Sequence, residues 1–196
     1  MCNLYTMTAT VDEMRRLFGP FEGDTSNLPP FDEIFPGYQA PVLRRNQGGS
    51  LKLDMMKWGF PGPEAAGSRP VTNVRNLSSP FWRNALEQPS RRCIVPVTSF
   101  CEWTGEVGRK TKVWFGLNAE HDSPLFAFAG IWRPGEGGPF MAFLTCAANQ
   151  MVGEVHPMAM PVMLRPADVT RWLDSPREEA CSLAQPFEDT LMQRVG

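Results

Sequence analysis

Residues 92–103, Arg92-Cys-Ile-Val-Pro-Val-Thr-Ser-Phe-Cys-Glu-Trp103, hold a very apolar run from Cys93 to Phe100 that ends on a carboxylate and an indole. The run is rich in β-branched residues and lacks strict alternation, so it reads as a strand covered on both faces. Segments 111–118, 125–133 and 139–147 repeat the pattern between turn-rich stretches. Upstream, Pro41–Arg45 and Leu51–Trp58 flank an Asn46-Gln-Gly-Gly turn, and 159–164 reads as a last strand. Helices are few and short. The capping box Thr10-Val-Asp-Glu13 opens one with Met14, Leu17 and Phe18 on a single face, and Gly19 closes it. Others begin at Pro80 (80–88) and at Pro166-Ala167 (through Leu173), and the tail from 185 has room for one more helical turn. Residues 24–37 and 59–72 read as loops. With no repeat, low-complexity tract or linker, the pattern is one α+β domain with a β-rich centre.

Composition supports this. A chain of 196 residues can bury a real core as one domain. Hydrophobic residues at 42% and charged residues at 20% exclude a disordered chain. No segment reaches the ~18 apolar residues of a membrane span. Proline, at 19 residues, is about twice its usual ~5% share, and 17 glycines add to it, which argues against a helical bundle. The first twenty residues carry Asp12, Glu13, Arg15 and Arg16 and no apolar h-region, so no export signal is expected. The five cysteines, Cys2, Cys93, Cys101, Cys146 and Cys181, are odd in number and form no Cys-x-x-Cys. That points to reduced thiols in a cytoplasm and to no metal site, as only His121 and His156 could add imidazole ligands.

The net charge of −2 argues against a polycationic nucleic-acid binder, yet it is unevenly spread. Residues 1–40 balance to −4, 41–114 to +7 and 115–196 to −5. Arginine outnumbers lysine 15 to 4, and arginine is the better bidentate phosphate ligand.

Several residues could carry chemistry. Cys2 follows the initiator Met1, and a small second residue is the signal for methionine removal. A mature N-terminal cysteine has an α-amine of pKa about 7.7–8.0 beside a thiol of about 8.5. The amine can form a Schiff base with an aldehyde, and the thiol can close a five-membered thiazolidine on it. Glu102, at the end of a buried strand beside Trp103, should be desolvated and hence raised toward general acid/base use. His156, in Val155-His-Pro-Met-Ala-Met-Pro161, could shuttle protons, whereas His121 between Glu120 and Asp122 reads as plain surface. In Val71-Thr-Asn-Val-Arg-Asn76, Asn73 can orient an amine and Arg75 can clamp phosphate. Trp58 in Trp58-Gly-Phe60 sits at a strand exit, where an indole could be exposed for base stacking. Taken singly, each has a plain structural explanation: an incidental second residue, a salt-bridged glutamate, a core histidine, a core tryptophan.

Together, and in order, Met1-Cys2, Trp58-Gly-Phe60, Asn73-Val-Arg75, the 92–103 stretch, Leu144-Thr-Cys-Ala-Ala-Asn149 and His156 with Met160-Pro-Val-Met-Leu164 resemble the SOS-response-associated peptidase family, which crosslinks to abasic sites in single-stranded DNA. The resemblance runs from residue 2 to about 173. It implies an α+β, β-rich single domain over residues 1–196, with a partly closed barrel-like sheet core and short flanking helices. It also implies a catalytic set of Cys2, Asn73, Glu102 and His156, and DNA contacts from Trp58, Arg75, Arg83, Trp103 and Thr145. The implied partner is single-stranded DNA containing an abasic site. No cofactor, metal or membrane is implied, and a cytoplasmic monomer is expected.

Two departures from the family pattern stand out. Many members begin Cys-Gly-Arg, where this chain has Cys2-Asn-Leu4; many read His-x-Arg-Met-Pro, where His156 here lies one residue further from Met160-Pro161 and no arginine intervenes. The principal rival is an N-terminal-nucleophile amidohydrolase of glutaminase type, which needs an oxyanion hole that the sequence does not display. A binding-only protein with an idle Cys2 is the other.

Overall fold

A computed structural model of the chain describes residues 2–26, 28–62, 70–106, 108–120 and 123–195. The N-terminal third contains β1 (Tyr5–Met7), α1 (Val11–Phe18), β2 (Phe21–Glu22), β3 (Phe31–Ile34), β4 (Gln39–Arg45) and β5 (Leu51–Trp58). The middle holds β6 (Asn73–Val74), α2 (Pro80–Glu87), β7 (Arg92–Val97), β8 (Ser99–Thr104), β9 (Thr111–Leu117), β10 (Phe126–Arg133) and β11 (Phe140–Cys146). The rest comprises α3 (Gln150–Gly153), β12 (Met160–Pro161), β13 (Met163–Leu164), α4 (Asp168–Asp174), α5 (Arg177–Cys181) and β14 (Met192–Val195).

The strands form two sheets. One runs β14-β9-β8-β1-β3 and the other β12-β11-β10-β7-β4-β5-β2, with β13 on β10 and β6 on β11. In the larger sheet β5 returns to β11 through two parallel pairs, Lys57 with Phe140 and Trp58 with Met141. The result is ring-like without being a closed barrel, as expected of a partly closed sheet core. The two sheets face one another across aromatic rings from both. Phe128 lies 5.8 Å from Phe100 and 4.8 Å from Phe143, and Tyr5 meets Trp58 edge-on at 5.1 Å.

The stretch 92–103 is not one strand. It belongs to the larger sheet as β7, breaks at Thr98 and enters the smaller sheet as β8. Thr98 makes the corner: its backbone N–H donates to the Thr6 carbonyl at 2.9 Å, and its hydroxyl lies 2.7 Å from the Thr6 hydroxyl and accepts from the Thr8 N–H. A strand that changes sheets in this way makes the corner of a packed pair.

The other end of β7 carries Arg92, fully buried. Its Nε and Nη2 donate to the Leu86 carbonyl in the last turn of α2, and its Nη1 donates to the Trp172 and Ser175 carbonyls at the end of α4. One guanidinium thus satisfies the carbonyl ends of two helices, where backbone acceptors are orphaned and the macrodipole is negative.

Local signals held. Thr10 and Glu13 form the reciprocal capping box, Ser79 caps α2 behind Pro80, and the Asn46 turn joins β4 to β5. Long-range pairing produced the differences. β3 lies within the expected loop 24–37, pinned by pairing with β1. Segment 159–164 divides at Val162, which bonds to both Leu144 and Ala129, so that β12 pairs β11 and β13 pairs β10. The tail holds a 3-10 turn at Asp189–Leu191, then β14 on the edge of β9.

Candidate active site

Pleat parity gathers the polar residues. Phe100 faces the aromatic interior, and Glu102, two residues on along β8, faces the same side. Thr145 has the same relation to Phe143 on β11, and Asn73 on β6 shares that face because it is paired in parallel register with Phe143. Cys2, three residues ahead of β1, joins them from the arm that leads into the smaller sheet. The Asn73 Nδ2 donates to the Cys2 carbonyl at 3.1 Å and to the Thr72 hydroxyl at 2.8 Å. The Cys2 thiol, 1% exposed, lies 3.5 Å from the Leu4 carbonyl.

Burial and charge set the site's electrostatics. Burial pushes the Cys2 thiol far above its ordinary value, and the field of Glu102 adds to the shift. Glu102, 2% exposed, is likewise raised by burial, against opposing positive charge that includes His156. Glu102 therefore lies within electrostatic reach of both Cys2 and His156. The half-buried His156 follows α3, its N–H bonded to the Val152 carbonyl and its Nδ1 3.1 Å from the Ala159 carbonyl. The Asn73 Oδ1 and the Thr145 hydroxyl are buried and, among the described residues, meet no hydrogen-bond partner. Such atoms mark where a polar guest would be held. The site thus offers a nucleophile, a raised carboxyl, an imidazole and two unsatisfied polar atoms on one interior face. Among the described residues no group of His, Cys, Asp and Glu is placed to hold a metal ion.

The expected DNA contacts divide. Arg75 and Arg83 are exposed, Arg75 beside the site, donating to the Cys146 carbonyl, and Arg83 on the outer face of α2. Trp103 is half-buried; its Nε1 donates to the Asn3 Oδ1 at 2.8 Å, which ties down the residue after Cys2. Trp58 is a correction. Its ring is wholly buried, packed on Tyr5 and Phe143, with Nε1 donating to the Thr72 carbonyl. Closure of β5 onto β11 covers the indole, so it offers no face to a base. The exposed aromatic at this strand exit is Tyr38, 55% exposed, whose carbonyl accepts from the Trp58 N–H. Thr145, 3% exposed, lies inside the site. His121, read as surface, lies outside the described residues, as do residues 63–69 of the 59–72 loop. An apolar cleft of about 350 Å3 between Leu17, Leu117, Phe126 and Phe187 contains none of the site residues.

The backbone beside Trp58 is equally constrained. Gly59 has φ +112°, and a Cβ there would stand 2.6 Å from the Pro70 Cβ. Its N–H donates to the Met141 carbonyl, and the next residue, Phe60, bridges to Val71, so this turn fixes the approach to Asn73.

Residues 1–195 match the family described as SOS response associated peptidase (SRAP). The chain belongs to the SRAP family. The abasic site processing protein YoqW of Bacillus subtilis (strain 168) is 28% identical over 207 residues, spanning 96% of this chain and 88% of that protein. The abasic site processing protein YoaM of the same organism is 28% identical over 190 residues, spanning 89% and 79%. A solved structure from Bacteroides thetaiotaomicron superposes with a TM-score of 0.81 at 21% identity, covering 98% of this chain and 90% of that one. One from Bordetella bronchiseptica gives 0.79 at 20%, covering both chains fully.

Both departures of this SRAP chain have structural counterparts. Leu4, where many members carry arginine, is fully buried, and its carbonyl accepts from the Cys101 N–H and the Cys2 thiol. The longer segment after His156 is a turn at Pro157-Met158, with Met158 70% exposed. Asn3, Thr6 and Thr98, which position the arm carrying Cys2, had no sequence signal beyond being small and polar.

Proposed function

We propose that this chain binds single-stranded DNA and captures an abasic site through a thiazolidine between the mature N-terminal Cys2 and the C1′ aldehyde of the deoxyribose. The observation that carries this reading is the grip of Asn73 on the Cys2 carbonyl, within reach of the buried Glu102. It fixes the backbone from which both the amine and the thiol of a terminal cysteine would project.

Loss of Met1 turns the Cys2 nitrogen into an amine. His156, oriented through Nδ1 on the Ala159 carbonyl, gives a proton to the sugar ring oxygen as the C1′–O4′ bond of the hemiacetal breaks, and the proton of the C1′ hydroxyl returns to the imidazole through solvent, freeing the aldehyde. The amine adds to C1′ and its proton moves to oxygen, giving a carbinolamine. Glu102 in its acid form protonates the hydroxyl, and water leaves as the iminium forms. The Cys2 sulfur then adds to the iminium carbon, the C=N electron pair returns to nitrogen, and the thiol proton passes to the Glu102 carboxylate. Every proton lent is returned. Such a carboxyl must be protonated near neutral pH, which burial favours. Asn73 Oδ1 and the Thr145 hydroxyl, both without a partner among the described residues, would receive the amine or the sugar hydroxyls. Arg75 and Arg83 would hold phosphates, and Trp103 would hold the N-terminal arm. The same groups would cleave residues ahead of the cysteine in an autoproteolytic step.

The test is a denaturing gel of the mature protein with single-stranded DNA holding one abasic site. A covalent band is expected, lost in Cys2→Ala and when the terminal amine is blocked. A complex seen only on a native gel would overturn the crosslinking chemistry and leave binding alone.

A further inference from the structure

The arginines sort into two kinds. Most outside the site pair with carboxylates, as Arg44 does with Asp54 at 2.6 Å and Arg45 with Asp174 at 2.7 Å. Arg75, Arg83, Arg91 and Arg133 form no ion pair among the described residues, and neither do Arg16, Arg109 and the buried Arg92 elsewhere in the fold. Of the first four, Arg75 follows β6, Arg83 lies on α2, Arg91 lies in the turn after it, and Arg133 ends β10, which packs against both α2 and that turn.

Two of them are braced by rings. The Arg133 guanidinium lies 4.5 Å from the Phe60 ring centroid and 5.1 Å from that of Phe81, and donates to the Pro61 carbonyl at 2.8 Å. Arg91 lies 4.7 Å from the Trp132 centroid. Trp132 is itself fixed, its Nε1 donating to the Ser90 carbonyl, and Arg44, already neutralised by Asp54, sits 4.6 Å from the same ring. A guanidinium held on an aromatic face keeps its charge and loses less side-chain freedom when it meets an anion. Arg133 is also partly desolvated by its rings without a counter-ion, a cost that an arriving anion would relieve. Glu136, in the turn after β10, is exposed and does not pair with Arg133; Glu87 on α2 faces Arg177.

β11 links these arginines to the site. Its end carries Thr145 and Cys146, with Arg75 on the Cys146 carbonyl, and its start pairs Phe140 with Arg133 and Met141 with Trp132. Five residues of strand cover roughly 17 Å, about the rise of five stacked nucleotides.

Resting on the function proposed above, we infer that Arg91 and Arg133 extend the phosphate contacts of Arg75 and Arg83 into a track that holds one flank, and only one, of the lesion-bearing single strand. The track is sequence-blind, because cations on phosphates carry no base information.

The experiment compares wild type with the Arg91→Gln/Arg133→Gln double variant. Affinity for lesion-free single-stranded DNA is measured against salt, and crosslinking is timed on two oligonucleotides with a long flank on opposite sides of the abasic site. Wild type should react faster with one polarity. The double variant should lose that preference, lower the log–log salt slope by about 1.4 for two phosphates, and crosslink an oligonucleotide short on both sides as wild type does. Arg133→Lys, which keeps the charge, should retain most of the slope, and Arg45→Gln, removing a carboxylate-paired arginine, should retain all of it. Wild-type slope and wild-type preference in the double variant would overturn the track. If wild type itself fails to crosslink, the proposed chemistry falls, while the salt slope on lesion-free DNA still reports on the track. If the double variant fails to fold, judged by its melting curve, the two single variants give the same readout at about 0.7 each.

Discussion

The Asn73 side-chain amide donates to the Cys2 main-chain carbonyl at 3.1 Å, joining residues that are 71 positions apart in sequence. The nucleophile is therefore held by its backbone, which leaves its reactive atoms unengaged by the clamp. Asn73→Ala should lower the crosslinking rate by about 10- to 100-fold, since misplacement by ~1 Å can cost ~100-fold. Single-turnover kinetics at saturating DNA check this; a change confined to the concentration of DNA at half-saturation would assign Asn73 to DNA binding instead.

Glu102→Gln should slow crosslinking by about 100- to 10,000-fold, the usual range for a general acid/base. In wild type the rate should rise with pH as the Cys2 amine loses its proton and fall again as Glu102 ionises. Glu102→Gln should keep the first limb and lose the second. An unchanged bell in the variant would remove Glu102 from the mechanism.

The same substitution has a signed effect on stability. Because the folded pKa of Glu102 is raised, its proton favours the folded state. That contribution is complete below the unfolded value of 4.5 and is lost as pH rises through the folded value. Relative to wild type, Glu102→Gln should therefore gain melting temperature as pH increases across this window. A difference independent of pH would contradict the burial of an ionisable carboxyl there.

Gly59→Ala should destabilise the fold by about 1–3 kcal/mol, since it combines an unfavourable φ with a Cβ 2.6 Å from Pro70. For a domain of this size that is a melting-temperature loss of roughly 2–12 °C. Crosslinking should fall with it, because the turn leads into Asn73. A neutral melting curve would show that the turn relaxes freely.

Arg92→Met should cost about 3 kcal/mol, as it strips donors from buried carbonyls of two helices. Urea denaturation should show a lower midpoint with an unchanged slope. Arg92→Lys should recover little, because one ammonium cannot span Leu86, Trp172 and Ser175.

How much of this was legible depended on range. Thr10 with Glu13 and the helix start at Pro80 were readable because a helix start is decided within four residues. The corner at Thr98 was not, because every residue from Arg92 to Thr98 is buried, so no alternation marks a change of sheet, and the deciding bonds come from Thr6 and Thr8. Trp58 misled for a related reason: what covers it is a parallel pairing with a strand some 80 residues away, of which its neighbours hold no trace. The chemistry of Cys2 and Glu102 was readable from residue type and the polarity of the surrounding run. Their meeting depended on sheet register, which no local pattern encodes.

The break at Thr98 also sets where the chain can tolerate a change of length. Glu102 faces the interior because it lies an even number of residues from Phe100, and both are counted from the corner that Thr98 fixes. One residue inserted between Thr98 and Glu102 would turn the carboxyl outward while leaving composition and propensity nearly untouched. The Asn46–Ser50 turn, which carries no such count, could absorb the same insertion. A deep insertion scan of this protein should thus be silent at that turn and lethal to crosslinking across four consecutive bonds of β8, a pattern set by parity rather than by any side chain.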